Sequence, residues 1–243
     1  MTGTTPQGVH GEREASRWVR DMFGRVAPRY DLLNHLLSFN LDKRWRTRAV
    51  NRIEPQLKRT NARVLDLCCG TGDVLLEMER RRGAQVLGSD FCHPMLVEAR
   101  HKIEARHFRS PLFEADALAL PLAANSLDLI TIAFGFRNLA NYEDGLRELL
   151  RVLKPGGLLA ILEFSQPSNR AFGAAYGFFS TRVLPWVGGI VSGSTDAYSY
   201  LPESIRKFPG AEALADAMRF SGFSKVEFER MTGGAVALHL GWK

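Results

Sequence analysis

Three aspartates, Asp66, Asp90 and Asp116, come after short apolar runs, and the first is succeeded by the small-residue turn Cys68-Cys69-Gly70-Thr71-Gly72. A carboxylate accepts hydrogen bonds from paired hydroxyls or an amino group, and its charge strengthens them. Glycines between a strand and a helix let backbone N–H groups approach a ligand with no side chain in the way. These residue types suit a nucleoside. Asp90 is placed for both ribose hydroxyls, Asp116 for an exocyclic amino group with the Ala117 N–H beside it, and Asp66, Gly70 and Thr71 for the ligand's other end. Dinucleotide binding would want a further glycine three positions after Gly72 to seat a pyrophosphate, but that position is Leu75. A single aspartate of this kind is most simply a surface residue or a helix cap; three in register are harder to explain that way.

The elements that must carry these residues alternate. Strands are expected at 64–67, 85–90, 112–114, 127–134 and 158–164, with helices through Val74, Leu75 and Met78, over 94–103, and over 143–153 before the stop Lys154-Pro155-Gly156-Gly157. A helix over 211–221 precedes strands at 225–230 and 235–240, joined by the turn Thr232-Gly233-Gly234. The expected fold class is therefore α/β. It is a mostly parallel, seven-stranded sheet ending in an antiparallel hairpin, which looks like the Rossmann-like class I S-adenosylmethionine methyltransferase fold. In such a sheet the ligand sits at the carboxyl edge, where the three aspartates fall.

Around this domain, taken as 61–243, the sequence reads as a disordered tail over 1–11 and a helical arm over 12–60. Residues 1–60 hold 12 Lys/Arg against 6 Asp/Glu, so the whole net charge of +6 lies there. Such an arm suits anionic lipid or nucleic acid, or is simply a set of solvated helix faces. The chain has 3 cysteines, two of them adjacent, which is no disulfide framework and fits a reducing compartment. No signal-peptide pattern opens the chain, and the apolar stretch at 171–194 is broken by Arg182, Pro185 and Gly188-Gly189, too early for a membrane span. It reads as a lid insertion over about 168–208. Cys92-His93 has no second pair at ligand spacing, so no metal site is expected.

The residues after the fourth strand narrow the acceptor. Ala133-Phe134-Gly135-Phe136-Arg137-Asn138 lacks the Asn/Asp-Pro-Pro-aromatic signature of base N-methylation, and no cysteine is placed as a C5 nucleophile. Here the chain closely resembles the ubiquinone/menaquinone C-methyltransferase family. The likeness rests on Tyr30-Asp31-Leu32-Leu33-Asn34 with Ser38 and Trp45, on Phe134 to Asn138, on Arg151 to Gly157 and Glu163-Phe164-Ser165, on Tyr200-Leu201-Pro202-Glu203-Ser204-Ile205, and on Leu238-His239. It implies S-adenosylmethionine as methyl donor, held by Thr71, Asp90, Asp116 and Ala117, and a prenylated quinol as acceptor, demethylmenaquinol before the ubiquinone or phylloquinone rings. Three positions depart from the family pattern: Asp42 for a usual His, Ala133 for a common Ser, and Cys68 for a glycine of the wider fold.

Arg137 and Asn138 are the candidate catalytic pair, by analogy with the fold. Arg137 would stabilise a phenolate or steer a water, since a guanidinium stays protonated and is a poor base, and Asn138 would orient the ring. The plainer reading of Arg137 is an ion pair with Glu143. Tyr30 and His239 are weaker substrate-site candidates. A prenyl tail, the lid's Phe172, Phe178, Phe179 and Trp186, and the basic arm imply a cytoplasmic enzyme attached peripherally to the inner face of the cell membrane. No nucleic-acid partner is expected, and a homodimer is left open. An RNA methyltransferase or a non-catalytic cofactor-binding protein are the readings of another class; salt-sensitive RNA affinity, or binding without turnover, would favour them.

Overall fold

A computed structural model describes residues 3–167 and 195–243. The arm folds as α1 (Glu12–Val26), a 3-10 turn (Ala27–Arg29) that accommodates Pro28, α2 (Tyr30–Leu37) and α3 (Leu41–Leu57). The domain then alternates β1 (Val64–Leu67), α4 (Asp73–Arg82), β2 (Leu87–Asp90), α5 (His93–Ala105), β3 (Leu112–Glu114), β4 (Leu127–Ala133), a 3-10 turn (Phe136–Asn138), α6 (Tyr142–Val152) and β5 (Leu153–Phe164). After residues 168–194, where the expected lid lies with Phe172, Phe178, Phe179 and Trp186 outside the described residues, come α7 (Thr195–Lys207), α8 (Ala211–Phe220), β6 (Lys225–Met231), a 3-10 turn (Thr232–Gly234) and β7 (Val236–Trp242).

The seven strands form one sheet in the order β3-β2-β1-β4-β5-β7-β6. All pairings are parallel except those of β7, which is inserted antiparallel between β5 and β6. Helices cover both faces, which is why the central strands are apolar at nearly every position. Along β5, Leu158, Ala160 and Leu162 pack with α3 and α4, whereas Leu159 and Ile161 pack with α6 and α8. Trp45, Ala49, Val50, Ile53 and Leu57 of α3 belong to the first of these clusters, so α3 is a layer of the core. A third cluster joins Val19 and Met22 of α1 to Met95 of α5 and Tyr200 of α7.

Two local expectations change. Lys154-Pro155-Gly156-Gly157 does not end the helix in a loop; it lies inside β5, where the pairing jumps from Leu127↔Leu153 to Leu129↔Leu158. Gly156 (φ +74°) turns the chain there, and the bulge is held by exchange of backbone hydrogen bonds with Lys243 at 2.9 and 3.0 Å. The segment read as a disordered tail carries buried Thr4 and Pro6, and the Thr4 N–H donates to the Leu139 carbonyl at 2.8 Å.

The connection reverses between β1 and β4: the chain runs outward through β2 and β3, then returns to β1's other side. A crevice opens at such a switch point, outside the strand ends. Its two rims are unusually close. A side chain on Gly135, after β4, would overlap the Cβ of Cys68, after β1.

Candidate active site

The crevice is a cleft of about 650 Å³. Cys68, Gly70, Asp90, Asp116 and Ala117 line it from the first three strand ends, and Ala133, Phe134, Gly135 and Asn138 from the fourth. Phe23, Tyr30, Phe91 and Met95 close the remaining walls, so the cleft combines carboxylates with aromatic and apolar side chains. A second recess of about 340 Å³ adjoins it through Tyr30, Cys68, Gly70 and Ala133, and is lined further by Asp66, Thr71, Asp73 and Arg46.

The glycine-rich turn is shaped by backbone that most residues avoid. Gly70 (φ +55°) and Gly72 (φ +88°) are left-handed, and so is Cys68 (φ +54°), which stands where the wider fold has glycine. Cys68 bears a cost on the order of 1 kcal/mol there. The turn is tied down by the Cys69 N–H donating to the Ser89 carbonyl at 3.0 Å and the Gly70 N–H donating to Asp90 Oδ2 at 2.9 Å.

Asp90 also accepts from the Cys92 N–H at 2.9 Å, so both of its oxygens are fixed by backbone donors. Burial pushes its carboxyl up to about 6, against hydrogen bonds from the backbone of Cys92, Gly70 and Phe91. Asp66 is more extreme. Its Oδ1 accepts from the Thr131 hydroxyl at 2.6 Å, but its Oδ2 is buried with no partner among the described residues, and burial pushes the carboxyl up to about 7. Such an oxygen is costly unless something donates to it, and a cationic amino group in the recess would do so. Asp116 is exposed, oriented by the Leu118 N–H at 2.9 Å.

Thr71 is held from the side. Its hydroxyl donates to Asp31 Oδ1 at 2.5 Å and accepts from Lys102 Nζ at 3.0 Å. Lys102 also pairs with Asp31 and, at 2.8 Å, with Asp73, which pairs with Arg46 at 2.5 Å. Arg46 reaches Asp42 at 3.1 Å, and Asp42 binds His35 at 2.8 Å. This chain of charges anchors α2 and α3 to the turn and employs the departing Asp42. Arg48 and Arg52 of α3 meet Glu229 at 2.9 and 3.5 Å, so much of the arm's charge is spent on the domain itself.

Arg137 is not among the residues lining the cleft. It lies beneath the fourth-strand rim, paired not with Glu143 but with Glu163 of β5, whose carboxylate receives its backbone N–H at 3.1 Å and its guanidinium at 2.9 Å. Arg137 Nη1 also donates to the Phe134 carbonyl, while its buried Nε has no partner among the described residues. Asn138 does reach the cleft. Its Oδ1 accepts from the Tyr200 hydroxyl at 2.9 Å, and that hydroxyl meets Thr4 Oγ1 at 2.7 Å. Tyr30 lines both cavities, and burial raises its phenol, opposed by Arg137.

His239 lies elsewhere. It sits within β7, paired with Ile161 and Phe228, its Nε2 bound to the Ala211 carbonyl at 2.8 Å, and burial lowers it to about 4; it is a packing residue of the sheet. Glu163 and Tyr200 join the site from outside the expected set. Glu163 carries a signal in the sequence, as a lone acid at the end of an apolar strand; Tyr200 carries none beyond its motif.

The family model of the ubiE/COQ5 methyltransferase family matches residues 9–243. A Thermus thermophilus protein named demethylmenaquinone methyltransferase is 53% identical over 90% of this chain and 99% of its own. A Cereibacter sphaeroides protein named ubiquinone/menaquinone biosynthesis C-methyltransferase is 40% identical over 99% of this chain and 94% of its own. Among solved structures, an S-adenosylmethionine-dependent methyltransferase from Archaeoglobus fulgidus superposes with a TM-score of 0.63 at 16% identity, covering 88% of this chain and 99% of that one, a likeness of fold. With Tyr30, Phe134, Gly135 and Asn138 of the motifs lining one cleft and the match running through nearly the whole sequence, the chain belongs to the ubiE/COQ5 methyltransferase family.

Proposed function

We propose that this enzyme transfers the methyl group of S-adenosylmethionine to the unsubstituted ring carbon of a prenylated quinol, demethylmenaquinol, giving menaquinol. The observation that carries the reading is a single cleft lined both by the carboxylates Asp90 and Asp116 and by the aromatics Phe23, Tyr30, Phe91 and Phe134, with Asn138 among them. The names borne by relatives sharing half or nearly half of its residues supply the acceptor class.

The donor fits the residues present. Asp66 Oδ2, buried and unpartnered among the described residues, would take the amino-acid ammonium beside Thr71 and Gly70. Asp90 would take the ribose hydroxyls, and Asp116 with the Ala117 N–H the adenine edge. Bound there, the donor supplies an electrophilic methyl on sulfur. The protein's remaining task is mostly placement. Tyr30, Phe134 and Phe91 exclude water from the acceptor, and Asn138 orients its ring oxygen. Loss of a hydroxyl proton makes the neighbouring ring carbon nucleophilic, so the quinol and not the quinone reacts. The hydroxyl proton would pass to water, the ring carbon would bond the methyl as the sulfur–carbon bond breaks, and the ring proton would then leave to water as the ring oxygen regains a proton, so that one proton is released overall. Arg137, buried beneath the rim with its Nε unpartnered among the described residues, would stabilise the developing quinol anion by its charge.

The lid assignment for 168–208 belongs to the same proposal. It is supported by α7, the described end of that segment, whose Tyr200 donates to Asn138. A cytoplasmic location peripheral to the membrane belongs to it as well; among the described residues, no helix is long and apolar enough to cross a bilayer. The test is methyl transfer from labelled S-adenosylmethionine to reduced demethylmenaquinone and to the benzoquinol analogue, read by product mass. Gain of one methyl by the naphthoquinol supports the reading, and methylation of neither ring overturns it.

A further inference from the structure

Helix α2 presents two kinds of surface. At its start Tyr30 lines the cleft and Asp31 is bound to Thr71 and Lys102, which fixes the helix's inner side. Leu32 and Leu36, one helical turn apart on α2, are 61% and 46% exposed, and Phe39, in the turn that follows the helix, is 74% exposed. Among the described residues only Val97 and Phe220 are comparable exposed large hydrophobics, so three of the five fall within eight positions. Isolated exposed apolar side chains need no explanation, but three clustered on one short helix and the turn after it, beside a ligand cleft, do.

Charge indicates the partner of this patch. Directly after Phe39, the first turn of α3 exposes Lys43 and Arg44, for which no acid among the described residues lies within ion-pair reach, whereas Arg46, Arg48, Arg52 and Lys58 further along are paired with Asp73, Glu229, Glu227 and Glu54. An apolar patch bordered by unneutralised cations matches a bilayer with anionic headgroups: the side chains enter the acyl boundary and the cations are drawn to the headgroups. A second copy docking by a twofold axis on this patch would bring the same cations towards their own kind.

We infer that Leu32, Leu36 and Phe39, with Lys43 and Arg44, form the surface by which this protein docks on anionic membranes. That places the mouth beside Tyr30 against the bilayer. It rests on the reading of the acceptor as prenylated, because such a substrate is delivered from the membrane, with its ring entering past Tyr30 while its tail stays in lipid.

Co-sedimentation with vesicles of phosphatidylcholine alone, and with added phosphatidylglycerol, tests it. The wild type is expected to pellet with the anionic vesicles and to be released by salt. Leu32→Ser/Leu36→Ser/Phe39→Ser should weaken that binding about tenfold or more, and Lys43→Glu/Arg44→Glu should abolish the preference for the anionic lipid. Both variants should methylate a quinol with a single isoprene unit in vesicle-free solution as the wild type does, which also reports that they are folded. Absence of wild-type binding, or binding undiminished in both variants, overturns the inference. So does loss of a dimer in the triple variant by light scattering with vesicle binding intact, since the patch would then be a self-association surface. A wild type that binds vesicles but methylates neither long- nor short-tailed quinols overturns the acceptor reading and leaves the docking surface standing.

Discussion

Glu163 holds Arg137 twice, through the backbone N–H at 3.1 Å and the guanidinium at 2.9 Å, and both side chains are almost wholly buried. The pair fixes the Phe136–Asn138 turn to β5, so the group beneath the rim and the amide at the cleft are positioned by one carboxylate. Removing one partner of a buried pair strands the other charge and typically costs about 3–5 kcal/mol. Glu163→Gln keeps the shape and one acceptor. It should lower the melting temperature and reduce kcat about 100-fold, while the calorimetric Kd for S-adenosylmethionine stays within about threefold. Arg137→Ala should show the same split. Parallel loss of turnover and donor affinity would mean the pair is only scaffold.

The unpartnered oxygen of Asp66 predicts a pH dependence with a definite sign. The folded chain holds this proton up to about pH 7, whereas an unfolded chain releases it near 3.8. The folded state therefore binds more protons between those values, and stability from this group, complete below about pH 4, is lost as pH rises through about 7. The gap corresponds to on the order of 4 kcal/mol. Urea unfolding of ligand-free protein from pH 5 to pH 8 should show the decline. Asp66→Asn should remove its part between about pH 6 and 7 and leave the shallower part that Asp90 contributes below about pH 6, and saturating S-adenosylhomocysteine, whose ammonium compensates the Asp66 carboxylate, should make it shallower too. A wild-type slope unchanged in Asp66→Asn contradicts the assignment.

Much of this site is legible in the sequence because its logic is local. Asp66 and Asp90 end short apolar runs, and Gly70 and Gly72 mark a strand-to-helix turn, so parallel strands alone bring them to one edge. The β6–β7 pairing likewise arises from Thr232-Gly233-Gly234. The hidden part depends on contacts distant in the chain. Tyr200 reaches Asn138 across 62 positions, and Thr4 reaches Tyr200 across 196, which no periodicity encodes. Arg137's partner escapes a sequence reading for the same reason: Glu143 is near in sequence, but Glu163 is brought close by the β4–β5 pairing. Lys154 to Gly157 does mark a helix end, yet its Pro and Gly also serve a bulge, which composition cannot separate from a loop.

Close approach of the two rims predicts a coupled pair of substitutions. Gly135→Ala places a methyl on the Cys68 Cβ, and should destabilise by roughly 1–3 kcal/mol as the rims are forced apart. Cys68→Gly removes both that Cβ and the strain of a left-handed cysteine, and should stabilise by about 1 kcal/mol. In the double variant the cost of the added methyl should largely vanish, giving a coupling energy of about 1 kcal/mol or more in a denaturation cycle. Strict additivity would show that the rims do not share this space.

The Tyr200 hydroxyl donates to Asn138 Oδ1 and meets Thr4 Oγ1, so it fixes which face of the amide turns to the cleft. Its own reach to the reacting atoms is not required; it acts through Asn138 as a positioning residue. Tyr200→Phe keeps the ring, which packs at 5.1 Å on Trp18, and deletes the donor alone. Stability should fall by about 1 kcal/mol, the ordinary worth of a buried hydrogen bond. The informative change is kinetic: an Asn138 amide free to rotate should raise KM for the quinol and lower kcat about tenfold, with donor affinity unmoved. Thr4→Val, which removes only the outer link, should give a weaker version of the same pattern. In an Asn138→Ala background the Tyr200→Phe effect on kcat should disappear, because nothing remains to be oriented. An effect of full size there would place the Tyr200 hydroxyl in direct contact with the substrate and remove the relay.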